Sequence, residues 1–134
     1  MNDRYLYRAK RTDNGEWVEG HLVYDNFDHE YRIVIALDYS TGTCFHTMMA
    51  PRVDQSTICQ CTGIKDKNGK LIWENDILVG HLYCEDDATY ARVLWHENGF
   101  CTQENYYDDC EQIDEFCQNY FEVCGNVFDN PELL

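Results

Sequence analysis

Short apolar runs recur along this chain, and each is closed by turn residues. Tyr5–Lys10 is followed by Thr12-Asp13-Asn14-Gly15 and then by Glu16–Tyr24, where no 3.6-residue stripe appears and the β-forming residues predict a strand. Asp25–Asp28 turns the chain into Tyr31–Leu37, whose core Arg32-Ile33-Val34-Ile35-Ala36-Leu37 reads as a strand buried on both faces. Ser40-Thr41-Gly42 separates it from Thr43–Met49. Ala50–Ser56, which contains Pro51, is the expected boundary between two halves. Extended structure resumes at Thr57–Ile64.

Asp66-Lys67-Asn68-Gly69 then supplies the strongest hairpin signal in the sequence, because Asn and Gly both tolerate φ > 0. Leu71–Trp73 is the returning strand, Glu74-Asn75-Asp76 a second turn and Ile77–Tyr83 a third strand. Glu85-Asp86-Asp87 and His96-Glu97-Asn98-Gly99 bracket another across Thr89–Trp95, with Phe100–Gln103 returning. One segment breaks the pattern. In Cys110–Tyr120 the residues Ile113, Phe116, Cys117 and Tyr120 fall at helical spacing behind Asp108-Asp109, which predicts a short helix near residues 110–119. Phe121–Phe128 is a last strand, ended at Asn130-Pro131. The expected fold is a single mainly-β domain over 1–134. It has an antiparallel N-terminal region (about 1–50) packed on a small SH3-like barrel (about 57–134), with one helix interrupting the barrel.

Composition agrees with that class. The chain has 134 residues, 44% hydrophobic and 14% aromatic with ten tyrosines, enough for a core without covalent staples. The formal net charge of −15 is uneven: the last basic residue is Arg92, and Val93–Leu134 hold ten acidic residues. Such a surface repels phosphate backbones, so nucleic-acid binding is not expected. The acidity reads as a solubility device or, in a sharper version, as a surface for a basic protein partner. The N-terminus lacks the apolar core of a signal peptide, and no apolar run approaches a membrane span. A soluble, cytoplasmic protein is expected, with its eight cysteines as free thiols packed like small hydrophobes.

Three blocks in order resemble the YopX family of phage and prophage proteins. They are Gly15-Glu16-Trp17-Val18-Glu19-Gly20; Gln60–Lys70 with Ile72-Trp73-Glu74-Asn75-Asp76-Ile77; and Val123-Cys124-Gly125-Asn126-Val127-Phe128-Asp129-Asn130-Pro131-Glu132-Leu133-Leu134. The stretch between Tyr83 and Tyr120 carries little of the resemblance. The resemblance implies a mainly-β fold with a barrel-like C-terminal part, and it supplies no catalytic residues. Two positions depart from the family pattern. Asn75 stands where Gly is usual, a change that a left-handed turn accepts. Cys61 replaces an aromatic residue, which leaves less volume beneath the hairpin.

Candidate chemistry is sparse. Cys59-x-Cys61 and Cys44-x-His46 each have the spacing that puts two ligands on one side of a strand, and four such ligands could make a tetrahedral zinc site. Buried thiols are the plainer reading, since neither pair has the gap of a zinc knuckle. The hairpin Asp66-Lys67-Asn68-Gly69 lacks the Gly and Glu positions of a calcium loop. Glu85-Asp86-Asp87 and Asp108-Asp109 read as solvated turns before cation sites. No nucleophile elbow, phosphate-cradling loop or His-Glu-x-x-His motif occurs, so enzyme activity is not expected and no cofactor is implied. Trp17, Trp73 and Trp95 read as core anchors rather than a base-stacking platform. Tyr106, Tyr107, Asp108 and Asp109 form a tyrosine-rich acidic stretch that is either a solvated loop or a partner contact. The expected function is that of a phage or prophage accessory protein. It would bind a host or phage protein non-covalently in the host cytoplasm, as a homo-oligomer. A structural or assembly component of a phage and a zinc-dependent enzyme are the alternatives.

Overall fold

The computed structural model describes residues 3–37, 48–80, 88–96, 99–104, 110–113 and 115–134. These form twelve strands and one short α-helix, and the chain divides into two compact units, Met1–Gln60 and Cys61–Leu134. The mainly-β class predicted from the sequence is the class observed.

In the first unit β1 (Tyr7–Lys10), β2 (Trp17–Asp25) and β3 (Glu30–Val34) form an antiparallel meander. A small ladder joins β4 (Ala36–Leu37) to β5 (Met48–Met49). Gly20 sits opposite Tyr7 on β1, and a Cβ built there would lie 2.1 Å from the Val34 carbonyl oxygen. Only glycine lets the two backbones approach so closely. The core is built on Ala9, Ile33 and Val53, with Tyr7, Val18, Leu22, Tyr31 and Ile58 packed around them. The Pro51 segment, expected as the boundary, is instead bound into this unit. Val53 N–H donates to the Tyr31 carbonyl at 3.1 Å and Asp54 N–H to the Lys10 carbonyl at 2.8 Å. The division falls later, inside β6 (Cys59–Lys65), whose first two residues pair with β1.

In the second unit the rest of β6 pairs with β7 (Leu71–Trp73). A five-stranded antiparallel sheet follows in the order β11-β10-β9-β8-β12, from β8 (Asp76–Gly80), β9 (Thr89–His96), β10 (Gly99–Gln103), β11 (Glu111–Gln112) and β12 (Phe121–Asn126). Ile72, Leu78, Val93 and Phe121 form its core. Burying each such side chain contributes roughly 1.5–3 kcal/mol.

Two local expectations shift. The helix α1 is only Glu115–Tyr120, because Glu111 and Gln112 pair with Thr102 and Cys101 on β10 and are strand. The hairpin tip does not place both Asn68 and Gly69 at φ > 0; Gly69 alone does, at +82°. Gly69 N–H donates to the Asp66 carbonyl and Asp66 N–H to the Lys70 carbonyl, which closes a three-residue loop rather than a two-residue one.

Candidate functional site

Two of the three blocks that carry the family resemblance, the one around the Asp66 hairpin and the C-terminal one, meet in the second unit, and their polar residues serve the backbone. Asp66 is 5% exposed. Its Oδ1 accepts from the N–H groups of Asn68 and Lys70, both at 2.9 Å, and its Oδ2 accepts from Val123 N–H at 2.9 Å. Lys67 N–H adds a bond to the Phe121 carbonyl. A carboxylate with three backbone donors both closes the hairpin and fastens it to β12. Asp76 is 1% exposed and its Oδ2 accepts from Trp73 N–H at 2.8 Å, so the Glu74-Asn75 turn is tied at its base. Asn75 adopts φ +69°, the left-handed backbone expected where the family usually has Gly. Its N–H donates to Val93, and its carbonyl accepts from Val127 N–H. The final turn closes the same way: Asn126 Oδ1 accepts from the N–H groups of Phe128 and Asp129. These polar side chains accept their hydrogen bonds from backbone donors.

Of the residues singled out in the sequence, Cys44 and His46 lie outside the described residues, as do Tyr106, Tyr107, Asp108 and Asp109 and the Glu85-Asp86-Asp87 cluster. Cys59 and Cys61 are both fully buried, two residues apart on β6, and the Cys59 thiol donates to the Thr57 carbonyl. Among the described residues no three His, Cys, Asp or Glu side chains gather in a metal-holding group. Trp73 is a buried anchor, whereas Trp95 is half exposed and stacks edge-on against Phe100. Trp17 lies beneath the cationic heads of Arg8, 4.9 Å from the ring centroid, and Lys10, at 5.4 Å.

The feature that sequence reasoning passed over is the tip of the β2–β3 hairpin. Phe27 is 96% exposed there, a large apolar ring with almost no contact to its own protein. The backbone beneath it is held firmly. Asp25 Oδ1 accepts from Phe27 N–H at 2.9 Å and from Asp28 N–H at 3.3 Å. Those two bonds, and then Arg32, hold the Asp25 carboxyl below the ordinary range. Arg32 spans the loop, pairing with Asp25 at 3.1 Å and Asp28 at 3.3 Å and donating to the Ala50 carbonyl. Arg52 pairs with Glu30 at 2.8 Å. Behind the tip Tyr24 stacks edge-on with Tyr31, ring centroids 5.1 Å apart, continuing the core row outward. A pocket of about 170 Å3 opens beside it between His29, Glu30, Tyr31, Arg52 and Val53, with its principal charges already paired. The signal in the sequence was an aromatic residue inside an otherwise polar turn, Asp25-Asn26-Phe27-Asp28, where no turn geometry calls for one.

No helix among the described residues is long and apolar enough to cross a membrane. No curated protein matches the chain. Among solved structures it is similar to protein EF1440 from Enterococcus faecalis, a crystal structure, with 27% sequence identity over 96% of each chain and a TM-score of 0.59. The YopX protein family matches residues 6–134, which include all three of the sequence blocks described above. On that match, which spans nearly its whole length, the chain belongs to the YopX family.

Proposed function

We propose that this protein is a phage-type accessory protein that acts by non-covalent binding of a protein partner in the host cytoplasm, with Phe27 as the anchor. The observation that carries the reading is the near-complete exposure of that ring on a tip fixed by Asp25 and Arg32. An aromatic side chain presented on a pre-ordered loop loses little entropy on docking, which is how interface anchors bind. The partner it suits has an apolar cleft for the ring. The polar residues of the family blocks support the same reading, since they are committed to backbone bonds rather than to chemistry.

The test is affinity capture from a lysate of the bacterium that carries the gene, at low and high salt, with wild-type and Phe27→Ala bait. The substitution removes no internal packing, so folding stability should stay within about 0.5 kcal/mol of wild type. The expected result is a partner that survives high salt on wild-type bait and is lost from the variant. A partner held equally by both baits, or released by salt alone, would place recognition on the acidic surface instead. Turnover of a small-molecule or nucleotide substrate by the pure protein would defeat the binding reading altogether.

A further inference from the structure

The cavity of about 170 Å3 beside the Phe27 tip is lined in part by Thr12, His29, Glu30, Arg52, Val53 and Gln55. That is far more than the roughly 10–15 Å3 that admits one water. Backbone bonds fix its walls. Thr12 N–H donates to the Arg52 carbonyl at 3.1 Å, Val53 N–H donates to the Tyr31 carbonyl at 3.1 Å, and Arg11 pairs with Val53 in an antiparallel bridge. The turn of the β2–β3 hairpin adds His29, held at φ +55°. The side chains on these walls are mostly donors without a protein acceptor. Among the described residues the Thr12 hydroxyl, the His29 ring and the Gln55 amide make no hydrogen bond within the protein. Arg52 is only half engaged: its Nε lies 2.8 Å from Glu30 Oε2, while its Nη2 is 3.7 Å from Asp28 Oδ2, beyond hydrogen-bonding reach. We propose that this pocket binds a carboxylate, and that the carboxylate is the side chain of an acidic residue on the partner that receives Phe27.

The sign of the ligand follows from which groups are already matched. Asp28 pairs with Arg32 and Glu30 with Arg52, so an incoming ammonium would meet a guanidinium and no spare carboxylate. A carboxylate meets the Nη edge of Arg52, whose planar fork suits it, together with the hydroxyl, imidazole and amide donors. The strongly acidic chain opposes such a ligand least in this unit, which holds six of the ten basic residues. The partner half of the proposal rests on the reading of Phe27 as an anchor. His29 follows Phe27 by two residues, about 7 Å along the chain, so a partner docked on the ring passes beside the pocket. The ring carries the affinity. The carboxylate on Arg52 sets the orientation, because forked pairing fixes geometry as well as charge.

The experiment titrates isotope-labelled full-length protein with N-acetylglutamate α-amide, and with N-acetylglutamine α-amide as its uncharged match, at constant ionic strength. Amide signals and the His29 ring are followed by NMR. The expected result is saturable shifts at Thr12, His29 and Val53 from the glutamate compound, with the glutamine compound binding about tenfold more weakly. Arg52→Ala, which loses only surface pairs, should abolish the shifts, and His29→Ala should weaken them. Equal binding of the two amides, shifts that survive Arg52→Ala, or tighter binding of inorganic phosphate would overturn the carboxylate assignment. Sodium propionate binding more tightly than the glutamate compound would assign the pocket to a free small carboxylate and overturn the partner half. No partner enters this titration, so its failure and a failure of the Phe27 anchor in the capture experiment are read separately.

Discussion

The two units of this chain solve the same problem, fixing antiparallel strands at their turns, with different electrostatics. Met1–Gln60 holds six basic against nine acidic residues, and Cys61–Leu134 four against sixteen. In the first unit the β2–β3 tip is held by carboxylates that share arginines at the surface, with Asp25 and Asp28 on Arg32 and Glu30 on Arg52. In the second, the hairpin at Asp66 and the turn at Asp76 are held by buried carboxylates that take backbone N–H groups as their partners. A strand-rich unit short of cations can still use acidic residues as scaffolding, provided main-chain donors satisfy the charge. The energies differ as well as the partners. Half-exposed ion pairs contribute about 0–1 kcal/mol each, whereas a buried charged acceptor contributes more per bond and leaves several orphans when removed.

Asp66→Ala is the largest expected break in that comparison. It strands the N–H groups of Asn68, Lys70 and Val123 and frees the hairpin from β12, so it should cost about 3 kcal/mol or more in urea denaturation. Arg52→Ala, which removes only surface pairs with Glu30 and Asp28, should stay within about 1 kcal/mol. Equal losses in the two variants would erase the distinction between the units.

Packing supplies the next test, in the first unit. Gly20→Ala would put a methyl 2.1 Å from the Val34 carbonyl oxygen and 3.1 Å from Ile33 Cγ2. The obstacle is backbone, which cannot swing aside as a side-chain end can. The β2–β3 ladder must open locally, at a cost of about 1–3 kcal/mol. Thermal unfolding and amide exchange at His21 and Val34, which face each other across that ladder, would read it. Unchanged protection there would mean that the ladder absorbs the added methyl without opening, and that the close approach at Gly20 does not require glycine.

Why some of this was legible in the sequence and some was not follows from the range of the forces. The strands, the turn at Asn75 and the Asp66–Gly69 bend were readable because turn chemistry is local: Gly69 and Asn75 have the left-handed backbone that Gly and Asn alone accept readily. The form of the hairpin was not, since it depends on the Asp66 carboxylate reaching both Asn68 and Val123, the second 57 residues away. The helix near 110–119 was over-extended because its apolar spacing was real, yet Glu111 and Gln112 found β10 as a partner, and tertiary pairing overrode local period. The burial of Cys59 and Cys61 followed from their place in a strand. Phe27 was passed over because it sits inside a polar turn, where pattern reasoning looks for hydrophilicity and stops.

The smallest effect is the most specific to the first unit, and it is one of pH. Asp25 is held below its ordinary range by the Phe27 and Asp28 N–H groups and then by Arg32. A depressed carboxylate binds fewer protons folded than unfolded. Its contribution is therefore complete above the unfolded value of about 4 and is lost as pH falls through the folded value. Asp13, lowered by Arg11, and Asp54, lowered by the Ser56 hydroxyl, act in the same direction. Asp25→Asn keeps an oxygen to accept from Phe27 N–H but cannot titrate. It should be less stable than wild type at neutral pH, and the two curves should converge as the pH drops below about 4. Parallel curves across that range would mean that the Asp25 charge does no stabilising work, and that the tip is held by the geometry of its Asx turn alone.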